Sequence, residues 1–122
     1  MAAIRLGSVS MDCADPAELG AFWAALLGGE VAFSSDDFVA VKAGPLWLSA
    51  VRVTDFRPPD WPGEDTPKQI HLDLAVDDLD EAESDALARG ARLAATQPAP
   101  DHWRVMLDPA GHPFCLSSQI PD

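Results

Sequence analysis

Apolar and polar residues alternate along two separate stretches of the chain, residues 4–13 and residues 70–76. This period of two predicts a strand that has one face on a core. In the second stretch, His71 and Asp73 fall on the face away from the core. An imidazole and a carboxylate in these positions must face either solvent or a binding cavity, and the pattern alone leaves both open.

A helix signal follows each alternating stretch. Asp15 and Asp78 are suited to cap a helix, because each has a Glu three residues later, and Pro16 suits the first helical position. Apolar residues then recur at helical spacing until Gly28 and Gly90, which are typical of helix ends. We therefore predict one helix after each alternating strand.

The two halves of the chain repeat one order of elements. Asp15 and Asp78 are 63 positions apart, and Gly28 and Gly90 are 62 apart. Short apolar runs and turn residues predict three further strands after each helix, at about 31–33, 38–42 and 46–53, and at about 92–95, 103–107 and 114–117. We expect an α+β fold of two βαβββ modules that form a cupped, barrel-like mixed sheet with the helices on its outer face.

A proline-rich stretch separates the two predicted modules and has no periodicity, so we predict an exposed connection there. With 122 residues, the chain has the usual size of one domain. The predicted single domain, residues 1–122, is divided into module one at about 4–53, a linker at 54–68, and module two at about 69–119.

Charge and composition narrow the function classes. The formal net charge is −12, from 20 acidic and 8 basic residues, which argues against binding to nucleic acid or to an anionic membrane. No apolar run approaches the length of a membrane-spanning helix, and no charged-then-apolar leader opens the chain. Cys13 and Cys115 form no C-x-x-C pair, and two free thiols suit a reducing compartment. We expect a cytoplasmic protein.

Three motifs resemble those of a known family. They are the Asp-Pro-x-x-Leu-x-x-Phe-Trp-x-x-Leu-Leu-Gly run at Asp15, the His-Leu-Asp-Leu-x-Val-Asp-Asp run at His71, and the Asp-Pro-x-Gly-His-Pro-Phe-Cys run at Asp108. Their order and spacing resemble the vicinal oxygen chelate superfamily of glyoxalases, bleomycin resistance proteins and dioxygenases, most of all its glyoxalase-like branch. The resemblance covers residues 6–118. It implies a homodimer, a small-molecule ligand, and a site on the concave face of the sheet.

The resemblance also implies where a metal would lie. Members that bind a divalent metal take one ligand from the first and one from the last strand of each module, and these positions correspond to Ser8, Val51, His71 and Cys115. Among them His71 is a usual ligand and Cys115, where the family has Glu, can be one. Ser8 and Val51 are not suited to a divalent ion. We therefore expect no metal cofactor; a divalent metal, if bound, would use His71 and Cys115.

Several roles stay open for the candidate residues. His71 could be a catalytic acid or base, or it could hydrogen-bond Asp73 and serve the sheet alone. Cys115 could be a partly activated thiol or a small buried hydrophobe. Trp61 could cover the cup or contact a second subunit. The predicted ligand-binding residues are Ser8, Asp12, Trp47, Val51, His71, Asp73, Trp103 and Cys115.

Three functions are consistent with these features. We favour a glyoxalase-like protein that binds a small molecule and has a degenerate metal site. The first alternative is an enzyme of the lyase, isomerase or dioxygenase-like kind that uses His71 as metal ligand or base. The second is a drug-sequestering resistance protein of the bleomycin-binding kind, in which an acidic groove traps a cationic drug.

Overall fold

The computed structural model describes residues 3–121. Two copies of strand–helix–three strands follow each other along the chain, as the repeat predicts. The elements are β1 (Ser8–Cys13), α1 (Pro16–Leu27), β2 (Glu30–Ser34), β3 (Phe38–Ala43), β4 (Leu46–Arg52), β5 (Leu72–Ala75), α2 (Leu79–Ala88), β6 (Arg92–Leu93), β7 (Trp103–Leu107) and β8 (Pro113–Ser117). The predicted α+β class and the two βαβββ modules are confirmed.

Two compact units make up the chain, and the division falls between Phe56 and Arg57. The first unit has a four-stranded sheet in the order β1-β4-β3-β2, and the second has one in the order β5-β8-β7-β6. In each sheet the first strand of the module pairs in parallel with the last, and the remaining pairs are antiparallel. Within residues 3–121, no helix is long and apolar enough to cross a membrane.

The helix caps are those that the sequence predicts. The Asp15 side chain accepts a hydrogen bond from the Glu18 backbone N–H at 3.2 Å, and Asp78 accepts one from Glu81 at 3.1 Å. Each cap satisfies one of the N–H groups that a helix start leaves without a partner. Gly28 follows α1 with φ of 65°, a conformation that glycine adopts without strain.

In the first unit, α1 packs on one face of its sheet. Leu19, Phe22 and Trp23 are buried on the helix, and Val39 and Val41 are buried on β3. The approach is close, since a Cβ on Gly20 would lie 2.5 Å from a methyl carbon of Val39. The polar face of β1 is therefore left on the other side of the sheet.

In the second unit, Arg104 fixes α2 to the core face of the sheet. Its guanidinium lies 2.6 Å from an Asp80 oxygen and 3.3 Å from a Glu83 oxygen, both on α2, and its Nε donates to the Pro100 carbonyl. The hydrogen bond to Asp80 is the main reason that the pKa of Arg104 is raised. The Arg104 and Glu83 side chains are 18% and 25% exposed, so their contact is better shielded from solvent than an ordinary surface pair, whereas Asp80 is 88% exposed and its contact is screened by water.

The fifth strand is shorter than predicted and leaves His71 outside it. The pairing of β5 with β8 begins at Leu72 and Phe114. The residue before Phe114 is Pro113, which has no N–H to donate to a further rung of the ladder. Ile70, the first apolar residue of the alternating stretch, is 78% exposed and therefore does not contribute to the core.

Most of the proline-rich stretch belongs to the second unit. Residues 57–68 form no helix or strand, and a hydrogen bond from the Asp60 N–H to the Thr66 carbonyl at 2.7 Å closes a loop within them. Pro58 lies against the turn before β8, where a Cβ on Gly111 would approach its ring to 2.7 Å. Gly111 has φ of 91°, which also favours glycine.

We predict that Arg104→Ala lowers the free energy of unfolding by about 0.5–1.5 kcal/mol, the usual net contribution of a hydrogen bond, because water screens the exposed Asp80 partner. The matched control is Arg89→Ala. Arg89 bonds Asp85 at 3.0 Å on the exposed surface of α2, and such pairs contribute about 0.3–0.5 kcal/mol. Urea unfolding measures both variants, and equal losses would contradict the importance of the Arg104 contacts.

Gly111→Ala tests the docking of the proline-rich segment. We expect it to cost more stability than Gly44→Ala, because both glycines have positive φ but a Cβ meets other atoms within 4 Å only at Gly111. An L-residue at a left-handed position costs about 1–2 kcal/mol, and Gly44→Ala should show that cost alone. Urea unfolding of both variants measures the difference. Equal decreases in the free energy of unfolding would mean that Pro58 moves aside without destabilising the protein.

Candidate functional site

The register of the second sheet brings a carboxylate and a thiol together. Asp73 on β5 is the partner of Cys115 on β8, and Val105 on β7 is the partner of Cys115 on the other side. Paired residues of neighbouring strands face the same side of a sheet. The face opposite α2 therefore has Asp73, Cys115 and Val105 in one row.

His71, which directly precedes β5, lies beside this row. Its Nε2 lies 3.2 Å from Asp73 Oδ1, and the two side chains are 33% and 52% exposed. One donor atom each from His71, Asp73 and Cys115 lies within 4.8 Å of the others. A contact between His71 and Asp73, one of the roles that the sequence left open for His71, is thus present, and a thiol lies beside it.

The thiol of Cys115 is kept protonated. Its pKa is raised from 9.0 to about 11, first by burial and then by the negative charge and hydrogen bond of Asp73, while the nearby Lys68 acts in the opposite direction. At neutral pH, Cys115 is therefore a neutral hydrogen-bond donor to Asp73. This environment makes Cys115 a weak nucleophile, because the thiolate is the reactive form.

A cavity of about 400 Å³ lies over this face of the second sheet. Its lining is mainly apolar, with two tryptophans, four further hydrophobic or proline positions, and the polar row at one end. Ligand pockets in proteins start at about 300 Å³ and are lined in this mixed way. The lining residues are Trp61, Lys68, His71, Asp73, Pro98, Trp103, Val105, Pro113, Cys115, Ser117 and Ile120.

The proline-rich segment supplies one wall of the cavity. Trp61 packs against the buried cluster that includes Val105 and Cys115. The Lys68 ammonium lies 5.9 Å from the centre of the Trp61 ring, within the range of a cation–π contact. These contacts support a role for Trp61 in covering the cavity, the first of the two roles considered for it.

The predicted ligand-binding residues divide between the two units. His71, Asp73, Trp103 and Cys115 all line the cavity of the second unit. The others lie on the first sheet, on the face opposite α1, where Ser8 pairs with Trp47 and Asp12 with Val51. The Lys42 ammonium lies 4.8 Å from the Trp47 ring centre. The role of all eight as ligand-binding residues stays a prediction.

Other lining residues were missed by sequence reasoning. Val105 and Ser117 could have been found, because strand alternation places Ser117 on the same face as Cys115, and Val105 on the same face as Trp103. Lys68 and Pro98 gave no signal, since both stand in stretches without periodicity. Their positions depend on how the loops fold back on the sheet.

The residues at the usual metal positions of the resembled family do not fit a four-ligand centre. Val51 has no donor atom, and Ser8 has a neutral, exposed hydroxyl on β1. Two ligands are fewer than the three protein ligands of a catalytic zinc site. We therefore derive no chemistry from a metal bound by that set.

A family model described as the glyoxalase-like domain matches residues 8–117, nearly the whole chain. The chain belongs to the glyoxalase-like domain family. Comparison with curated proteins gives no significant match.

Solved structures of similar fold come from proteins of several kinds. A glyoxalase/bleomycin resistance protein/dioxygenase family enzyme of Burkholderia phytofirmans is 21% identical, with a TM-score of 0.68, over 93% of this chain and 97% of that one. The bleomycin-binding protein of Streptomyces verticillus, complexed with copper(II)-bleomycin, is 18% identical, with a TM-score of 0.62, over 98% and 100%. A Listeria monocytogenes fosfomycin resistance protein with Mn(II) is 15% identical, with a TM-score of 0.70, over 98% and 93%. At these identities the similarity to the three structures shows only the fold of this chain.

We predict that Cys115 reacts slowly with iodoacetamide and that its rate rises with a midpoint near pH 11. A shift from 9.0 to about 11 lowers the thiolate fraction at pH 8 about 100-fold. The free energy of unfolding should fall as pH rises from about 9 to about 11, because the raised pKa stabilises the protonated folded state. Chelator-treated protein in a Cys13→Ala background isolates this thiol.

In the same background, Asp73→Asn should lower the midpoint of alkylation and speed the reaction at neutral pH. The exposed Asp77→Asn is the matched control, since Asp77 does not line the cavity. A midpoint at or below 9.0 in the unmodified site would contradict the described environment of Cys115.

Proposed function

We propose that this glyoxalase-like protein binds a small planar organic molecule in the cavity of its second module. The observation that carries the proposal is the pair of tryptophans, Trp61 and Trp103, on the lining of a cavity that has a polar end. Catalysis is not required for this function. The proposal thus keeps the sequence-based preference for small-molecule binding.

The apolar walls favour a flat ligand. The cavity gains hydrophobic or aromatic surface from Trp61, Trp103, Val105 and Ile120, and Trp103 is 37% exposed. An indole ring of this exposure gains from covering by another ring, because aromatic pairs contribute about 0.5–1.5 kcal/mol beyond their buried area. A planar molecule would take this position.

The polar end favours a ligand with one hydrogen-bonding group. His71 and Asp73 both line the cavity, with His71 Nε2 3.2 Å from Asp73 Oδ1, and Lys68 brings a positive charge. A hydroxyl or carbonyl of the ligand could bond the imidazole or the ammonium. These few polar groups would orient the ligand, as convergent polar groups do in small-molecule sites.

An enzyme that uses His71 as general base is the second candidate. The observation that favours it is the Asp73 oxygen 3.2 Å from His71 Nε2, since a carboxylate beside an imidazole is a common arrangement in acid–base catalysis. The proposal of binding does not depend on this step. Homodimerisation and a cytoplasmic location also stay predictions.

The test is a titration with 2-naphthol, a planar probe with one hydroxyl, followed by isothermal titration calorimetry in the presence of chelator. We expect Trp61→Ala and Trp103→Ala each to weaken binding at least about 10-fold, because each removes a ring that covers the probe. Cyclohexanol, which has the hydroxyl but no planar ring, should bind more weakly than 2-naphthol to the unmodified protein.

Phe33→Ala is the matched control, because Phe33 is an exposed aromatic residue on β2 of the first unit and does not line this cavity. It should leave the affinity for 2-naphthol unchanged. If 2-naphthol does not bind, or if Phe33→Ala weakens its binding as much as the two cavity variants do, the proposed site is wrong. Circular dichroism of each variant verifies folding.

A further inference from the structure

We infer that His71, Asp73 and Cys115 form a binding site for one Zn²⁺ ion at the polar end of the second module's cavity. This inference deepens the proposed function and rests on the same cavity. It uses a ligand set that differs from the one implied by resemblance, because Asp73 replaces the two positions on the first module.

The spacing of the donor atoms suits one ion. Tetrahedral zinc has bonds of about 2.1 Å to nitrogen and oxygen, which places these two donors about 3.4 Å apart. The observed separation between His71 Nε2 and Asp73 Oδ1 is 3.2 Å. The Cys115 sulfur completes a set whose members all lie within 4.8 Å, so small side-chain movements bring the three onto one ion.

The donor types select the metal. An imidazole nitrogen, a carboxylate oxygen and a thiolate sulfur together suit Zn²⁺, whereas Mg²⁺ and Mn²⁺ prefer oxygen ligands. The carboxylate and the thiolate also bring two negative charges that offset the charge of the ion. On binding, the Cys115 S–H proton is released to solvent and the sulfur binds as thiolate.

The scaffold holds two of the ligands rigidly. Asp73 and Cys115 are directly paired in the parallel ladder between β5 and β8, and Cys115 is buried. His71 precedes the strand, so its backbone is free of that ladder and can adjust. Three protein ligands leave a fourth position, and because all three side chains line the cavity, that position is open to a bound molecule or to water.

Lys68 is the cation that opposes this site, because its charge acts on Cys115. It lies over the Trp61 ring and is partly exposed, and its long side chain can turn to solvent when an ion binds. Binding of the ion would therefore require a partly exposed ammonium to turn away and would not require a buried ion pair to break.

The test is a titration of chelator-stripped protein with Zn²⁺ alone by isothermal titration calorimetry, together with absorption spectra of the Co²⁺-substituted protein. We expect one ion per chain and a thiolate-to-cobalt charge-transfer band. His71→Ala and Asp73→Asn should weaken Zn²⁺ binding at least about 10-fold, and Cys115→Ala should weaken it and also abolish the band.

The matched controls are Cys13→Ala, His112→Ala and Asp77→Asn, which change the same residue types outside the cluster and should bind Zn²⁺ as the unmodified protein does. No binding, a band that survives Cys115→Ala, or a band lost in Cys13→Ala would overturn the inference. Zn²⁺ binding without 2-naphthol binding would leave the metal site standing and reject the proposed planar ligand; the opposite result would reject the metal site alone.

Discussion

The parallel pairing of the first and last strands of a module is the constraint on which the candidate site depends. In the second module, it places Asp73 next to Cys115, although a helix and two strands separate them in the chain. The whole of β8 is buried, so this strand is fixed in the middle of its sheet. A slip of one residue would turn Cys115 towards α2 and remove the thiol from the cavity.

Periodicity predicted the elements well, because each is stabilised by local features. The Asp15 and Asp78 caps bond the N–H groups that the capping pattern predicts, and β7 has the predicted bounds. Alternation by itself also predicts that His71 and Asp73 lie on the same side of the strand. It could not place Cys115 beside Asp73 by itself, because the register between distant strands depends on packing; the resemblance to the family supplied that position.

The rest of the site depends on contacts that leave no periodic signal. Trp61 and Lys68 reach the cavity because the segment around Pro58 lies against the turn at Gly111, where a side chain would collide. The sequence shows that such a stretch cannot be helix or inner strand, but not which surface it covers. His71 shows the opposite case. The alternation includes His71, but the ladder between β5 and β8 begins only at the next residue, Leu72, because Pro113 has no N–H for a further rung.

Charge balance in the cavity differs from that of the whole chain. The net charge of −12 made an acidic groove for a cationic drug a reasonable hypothesis. In the second unit, however, Asp73 is accompanied by Lys68, and Cys115 is neutral because its pKa is raised to about 11. The negative charge of the chain therefore lies mainly outside this cavity. Recognition there depends on the two indole rings and on the few groups that surround Asp73, so ligand shape and donor chemistry decide binding more than overall charge does.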